Sequence, residues 1–342
     1  MSYFERFKKI TPKRVIPNFK INRPLAPNVV LGDVGLELEI EGVRLVNGGD
    51  LPTTKCPVTG GGWTTHVDGS LRGEALEYVF DRPCSIAAAE TLVNDLFEKF
   101  QKNETTLQLS NRCSTHVHLN VSDWTVNYII SFFAIWAAIE PALIEWCGVE
   151  RKTNHFCLSM VDTTAAVDHW SAFLKDGPLG VKWSQNLKYT ALNPLHLFDF
   201  GSLEIRCGRA PDNAGDIVNW TKFLWALREF VKGFPNPQAI PELVSFSSPS
   251  GIILDLAARA GIPAFGEEIL GAAPTANEDG LETFREVQAL CCAFPWNEWV
   301  EDAGKAYVPN PFESEKKLKI RTDNLVGLDW AMPAPAGARG RD

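Results

Sequence analysis

The sequence lacks most of the local signatures that announce a nucleotide or metal protein. It has no GxxxxGK[ST] loop, no strand-linked GxGxxG turn, no GxSxG elbow and no HExxH. Any nucleotide must therefore be held without a P-loop. Eight cysteines are present but none forms a CxxC pair; Cys291 and Cys292 are adjacent and the rest are scattered. That spacing excludes a zinc ribbon or compact disulfide framework and fits reduced thiols. Basic residues are in deficit, 33 Lys and Arg against 42 Asp and Glu, a formal charge of −9. General binding to a nucleic-acid backbone needs the opposite balance, so only a local phosphate site is compatible. The basic N-terminus MSYFERFKKITPKR has no apolar segment behind it, so no signal peptide is expected. The most apolar run, Tyr128 to Ile139, ends at Glu140-Pro141, short of the ~20 residues that span a bilayer. A buried core helix is expected there, and no membrane partner.

What is present is a composition able to bury a core: 45% hydrophobic and 22% charged residues. Residues 1–30 read as an extended leader broken by Pro12, Pro17, Pro24 and Pro27. A main domain over 31–235 follows, then a C-terminal helical or irregular extension (236–330) packed on it, and a disordered tail (331–342). Strands are predicted at Val34 to Ile40, Leu76 to Phe80, Leu107 to Leu109, Thr115 to Val121 and Ser202 to Cys207. Helices are predicted from a Ser85 cap to about Lys102, and from Ser122 or Asp123 to about Cys147 with a kink at Pro141. Others run from Asp216 to Lys232, Ile252 to Ala260 and Leu281 to Phe294. Without a regular βαβ rhythm, the expected class is α+β with a mainly antiparallel sheet.

The chemistry lies in the strand alternation. In VGLELEIEG, Val34, Leu36, Leu38 and Ile40 take one face and leave Glu37, Glu39 and Glu41 on the other. In STHVHLNV the core residues leave His116, His118 and Asn120. In SLEIRCG they leave Ser202, Glu204 and Arg206, and in EALEYVF they leave Glu77. Each segment alone reads most simply as a solvated strand face, a hydrogen-bonded pair or a structural salt bridge, and Asp68-Gly69 as a turn. Together, nearly all of these polar residues are metal or phosphate partners, and the usual Lys, Thr or Gln are absent from the faces. Same-face carboxylates roughly 6.6 Å apart repel unless a cation or water lies between them. Carboxylates with an occasional imidazole suit Mg²⁺ or Mn²⁺, and an arginine beside them suits phosphate.

In order, GLELEIEG, DGSLRGEALEYV, CSTHVHLNV, ERKTNHFC, KYTALN and GSLEIRCGRAPDN resemble the amidoligase family over about Gly32 to Phe234. These are carboxylate–amine ligases of phages and bacteria, related to glutamine synthetase and glutamate–cysteine ligase. The resemblance implies an antiparallel sheet curved into a glutamine synthetase-like cup, with helices on its convex side and ATP with Mg²⁺ or Mn²⁺ in the concave face. It implies Glu37, Glu39, Asp68, Glu77, His116 and Glu204 as metal ligands and Arg206 as the phosphate-binding arginine. His118, Arg151 and Lys188 would lie near the nucleotide, with Tyr189 and Asn193 near it or the acceptor. Glu41 or Asp68 would be candidate bases. The implied substrates are a small-molecule or peptide carboxylate and an amine, joined in the cytoplasm of a bacterium or phage-infected cell. Phe80 departs from the family's usual small polar residue, which bears on the acceptor pocket. Phosphoryl transfer to another acceptor and a catalytically inactive scaffold or virion component remain the alternatives.

Overall fold

The computed structural model describes residues 32–42, 52–57, 59–121, 123–124, 126–152, 154–159, 188–197 and 201–292. The expected leader (1–30) and tail (331–342) lie outside them.

Six strands form one antiparallel sheet: β1 (Val34–Glu41), β2 (Trp63–His66), β3 (Ala75–Phe80), β4 (Thr115–Asn120), β5 (Leu192–Asn193) and β6 (Ser202–Gly208). Their order is β2-β3-β1-β4-β6-β5, so the strands richest in alternating polar residues, β1 and β4, are central neighbours. The described helices are α1 (Ile86–Lys102), α2 (Val126–Cys147), α3 (Val149–Lys152), α4 (Ala214–Val231), α5 (Ile240–Arg259), α6 (Pro263–Ala272) and α7 (Ala276–Cys292). The class is thus α+β.

One face of the sheet is apolar. Val34, Leu36, Leu38, Ile40, Val117, Leu119, Leu203 and Ile205 are buried there. Each such burial is worth about 1.5–3 kcal/mol relative to exposure. Ala89 and Val93 of α1 and Val218 of α4 meet around Leu36. Helix α1 starts where Ser85 Oγ accepts from Ala88 N at 3.3 Å, and ends with Lys99 and Lys102 in its last turn, favourable at that end of the dipole. Its Leu92, Val93, Leu96 and Phe100 stripe is buried.

Helix α2 is apolar all round, as a helix enclosed on every side must be. It contacts β6, α4 and the three helices α5–α7. As expected, the helix continues through Pro141 to Cys147. Asn127 to Cys147 are 21 residues, long and apolar enough to cross a membrane by length and composition, but 89% of the critical window is buried inside the protein. Glu140 is kept within it by Trp136 Nε1 and Ser159 Oγ, both donating at 2.7 Å. Asp123 is not a cap; the helix begins at Val126, and Asp123 pairs with Arg228.

Other expectations are corrected. Leu107 to Leu109 is not a strand; Gln108 N donates to Glu41 O at 2.8 Å. The helix expected from Ile252 begins at Ile240 and breaks at Ser248 (φ 60), where Pro249 disfavours helical geometry in the residue before it. Helix α6 and strands β2 and β5 are additional. The glycines before β2 have a steric reason: a Cβ on Gly62 would lie 1.9 Å from Thr54 O. Phe80 faces the core, fully buried, with its ring 4.3 Å from that of Trp63, so it lines no acceptor pocket on the opposite face. The cysteines at 56, 84, 113, 147, 157, 207 and 291 are buried free thiols.

Candidate functional site

Strand register assembles the polar face. Pairing of β1 with β3 sets Glu39 opposite Glu77, and pairing with β4 sets Glu37 opposite His116. Pairing of β4 with β6 sets His118 opposite Glu204, and β5 adds Asn193 opposite Glu204. This face is not a solvated one. Glu37, Glu39, Glu77, His116, His118 and Glu204 are all buried, Glu204 with only 1% exposure.

Glu37 links the two imidazoles. Its Oε2 lies 3.1 Å from His116 Nδ1 and its Oε1 3.0 Å from His118 Nε2. His116 Nδ1 is also 3.5 Å from Glu204 Oε1, and His116 Nε2 is 3.7 Å from Glu39 Oε2. Ser114 Oγ stands 2.7 Å from His116 Nε2 and donates to Glu39. Glu204 accepts from Arg206 and Asn193 and has His196 Nε2 at 3.4 Å. The His196 and His118 ring centroids are 5.4 Å apart.

One proton arrangement satisfies all of these contacts: Ser114 donates to Glu39 and accepts from Nε2 of a neutral His116, whose bare Nδ1 then accepts from a protonated Glu37. The electrostatics agree. Burial, reinforced by Glu204, raises Glu37 well above the usual carboxylate range. Burial, reinforced by Arg206, drives His116 well below the usual imidazole range. Burial also lowers His118. Burial lifts Glu39 to about 7 against the opposing pull of Arg206 and Ser114. Burial and then the charges of Glu37, Glu39 and Asp68 lift Glu77 to about 9. Glu204 goes the other way: burial would raise it, but Arg206 and His196 outweigh burial and keep it ionised. Burial would likewise lower Arg206, but the carboxylates around it hold its proton more firmly than usual.

The face thus holds more carboxyl groups than it can ionise, and keeps protons where cations could sit. Two triads have the spacing for it: Glu37, His116 and Glu204, and Glu39, Glu77 and His116, each with donor atoms within 4.8 Å of one another. They share His116.

A pH dependence follows. Up to about pH 7 the folded chain holds a proton on Glu39, and up to about pH 9 one on Glu77, that the unfolded chain has released, so raising pH between 6.5 and 8.5 opposes folding. The buried histidines act in the opposite sense, but only below their ordinary value of 6.5, where unfolded imidazoles take up protons. The melting temperature of the metal-free protein is expected to fall across this window. A flat or rising curve in calorimetry contradicts the arrangement.

The other residues singled out lie around this cluster. Glu41 is buried at the end of β1, where its Oε1 accepts from Arg72 N at 2.8 Å. Asp68 Oδ1 accepts from Ser70 N at 2.6 Å, and its charge reaches Glu39 and Glu77. Arg151 is buried and ties β6 to the segment before β4, donating to Arg206 O at 2.8 Å and Cys113 O at 3.5 Å. Lys188 is exposed, its ammonium 4.8 Å from the Tyr189 ring centroid, and has no described contact with the cluster. Sequence reasoning missed Ser114 and His196. Ser114 was within reach, two residues before His116 and so on the same face. His196 lies in a 3₁₀ turn (Leu195–Leu197), where no strand period marks it.

Residues 83–227 match the family model described as "Putative amidoligase enzyme". The matched span is less than half of the 342-residue chain. It contains β4, β6, His116, His118, Arg151, Lys188, Glu204 and Arg206, but not β1–β3 with Glu37, Glu39, Glu41, Asp68 and Glu77. No curated protein matches the chain.

Proposed function

Taking the amidoligase match over residues 83–227 as premise, we propose that this chain is an ATP-dependent carboxylate–amine ligase. The observation that carries the reading is the buried face on which Glu37, Glu39, Glu77 and Glu204 converge on His116 beside Arg206. Fold stability alone gives no reason to bury so many carboxyl groups together, because each polar group must be desolvated.

The donor set fits Mg²⁺ or Mn²⁺: carboxylate oxygens from Glu37, Glu39, Glu77 and Glu204, with one imidazole from His116. Bound there, the cations would neutralise the phosphates of ATP. The arginines fit an anion as well. Arg206 Nε and Arg151 Nε are buried and have no hydrogen-bond partner among the described residues. Buried guanidinium donors left over in this way are what phosphate oxygens satisfy. In this reading the polar face is the wall of a glutamine synthetase-like cup.

The chemistry needs two steps. A substrate carboxylate oxygen attacks the γ-phosphorus of ATP, and ADP leaves, giving an acyl phosphate. The amine nitrogen then attacks the acyl carbon, the carbon–oxygen bond to phosphate breaks, and a base takes the amine proton. Arg206 would stabilise negative charge on the transferring phosphoryl group. Glu41 and Asp68, at the edge of the cluster, are the groups able to accept the proton.

The test is product analysis with ATP, Mn²⁺ and a pool of bacterial metabolites. The expected result is a condensation product one water lighter than its two parts, with ADP and phosphate in equal amounts. A stable phosphorylated acceptor without amide would replace ligation by phosphoryl transfer. Absence of any ADP release would mark an inactive scaffold.

A further inference from the structure

A pocket of about 350 Å³ lies apart from the carboxylate cluster, lined by Arg72, Arg112, His155, Asn111, Asn154 and Phe156, with Glu150 as its one acidic group. Its charge runs against the chain's overall −9. Its wall is tied together. Arg112 lies 5.9 Å from the Phe156 ring centroid and donates to Ser70 O. Asn154 donates to Asn111 O at 2.7 Å and accepts from Phe156 N at 3.0 Å. Among the described residues neither Arg72 nor Arg112 has a carboxylate partner.

The pocket and the cluster share their supports. Arg72 N is bonded to Glu41 Oε1 at 2.8 Å. Arg112 precedes Cys113, whose carbonyl accepts from Arg151, and Ser114, which donates to Glu39. Glu150 precedes Arg151 in α3.

Two guanidiniums and one carboxylate around a small space recognise a small zwitterion. A guanidinium fork matches a carboxylate, and Glu150 offers a partner for an ammonium. A free phosphate would use the arginines but be repelled by Glu150. We infer that this pocket holds a free amino acid by its α-carboxylate and α-ammonium, leaving its side chain unheld. Calling that amino acid a substrate rests on the ligase reading; the binding does not. With both backbone groups held, the reacting group is a carboxylate or amine on the side chain, and the product is an isopeptide-type amide.

Saturation-transfer NMR on the full chain, with an equimolar pool of free L-amino acids and neither ATP nor metal, tests this. At least one amino acid bearing a side-chain carboxylate or amine is expected to give signal. The signal should fall about tenfold or more in Arg112→Gln and in Arg72→Gln, since each removes a charge-assisted hydrogen bond. Arg72 is exposed, so its variant carries the test should Arg112→Gln disturb the loop. Glu150→Gln and N-acetylated analogues should also lose signal, whereas Glu37→Gln should keep it. No transfer to any amino acid, equal transfer in both arginine variants, or equal transfer to the acetylated analogues would overturn the inference. Intact binding without ADP release in the product assay would instead count against the ligase reading alone.

Discussion

Glu37→Gln is expected to remove the cation site formed with His116 and Glu204 and lower ATP turnover by at least about 10²–10³-fold, while leaving the metal-free chain as stable as the parent or more so. The two effects separate because of the proton on Glu37. In the metal-free protein burial and then Glu204 raise that carboxyl well above the usual carboxylate range, which favours its protonated form. Its Oε1 lies 3.0 Å from His118 Nε2 and its Oε2 3.1 Å from His116 Nδ1, distances at which the protonated carboxyl accepts from the first ring and donates to the second. A glutamine reproduces both bonds, with a carbonyl toward His118 and an amide toward His116. It cannot become the anion a cation requires. Calorimetry with and without Mg²⁺, alongside ADP release, measures both halves. An undiminished Mg²⁺-dependent rise in melting temperature would remove Glu37 from the proposed ligand set.

Arg206→Leu is expected to destabilise the chain by about 3–5 kcal/mol, the effect of stranding a buried charge. Glu204 has only 1% exposure and stays ionised because Arg206 and His196 outweigh burial. Without the guanidinium, burial acts unopposed by its largest partner. Arg206→Lys keeps the charge but loses the planar fork, and so should recover stability better than turnover. The double variant Arg206→Leu/Glu204→Leu removes both charges and should regain most of the loss, since a buried pair replaced by apolar groups is often neutral or better. Urea unfolding of the three variants decides it. A double variant no more stable than Arg206→Leu would show that the pair is not what stabilises this end of β6.

Much of this site was legible because strand alternation is a strict period. Once Leu36, Leu38 and Ile40 are assigned to the core, Glu37 and Glu39 must share the opposite face, and the same holds for His116 and Glu204. The order β3-β1-β4-β6, which turns separate polar faces into one cluster, is not in the period; it depends on long-range pairing. Burial was not legible either, because an alternating acidic strand reads most simply as solvated. Short elements were lost for a different reason. Trp63–His66 and Leu192–Asn193 are strands of 4 and 2 residues, too short to show a period. Their structure comes from the neighbours they pair with. Helix α5 was read as only its second half, because Pro249 marks a break that the packing of α5 against α2 and α7 carries through.

The central claim is that the buried face around His116 holds the divalent cations of an ATP-dependent ligase. Anomalous scattering from crystals grown with Mn²⁺ and a non-hydrolysable ATP analogue tests it most directly. Manganese peaks are expected, bounded by Glu37, His116 and Glu204 and by Glu39 and Glu77, with phosphate oxygens on Arg206. Manganese bound elsewhere, or nucleotide bound with no metal at these carboxylates, would contradict it.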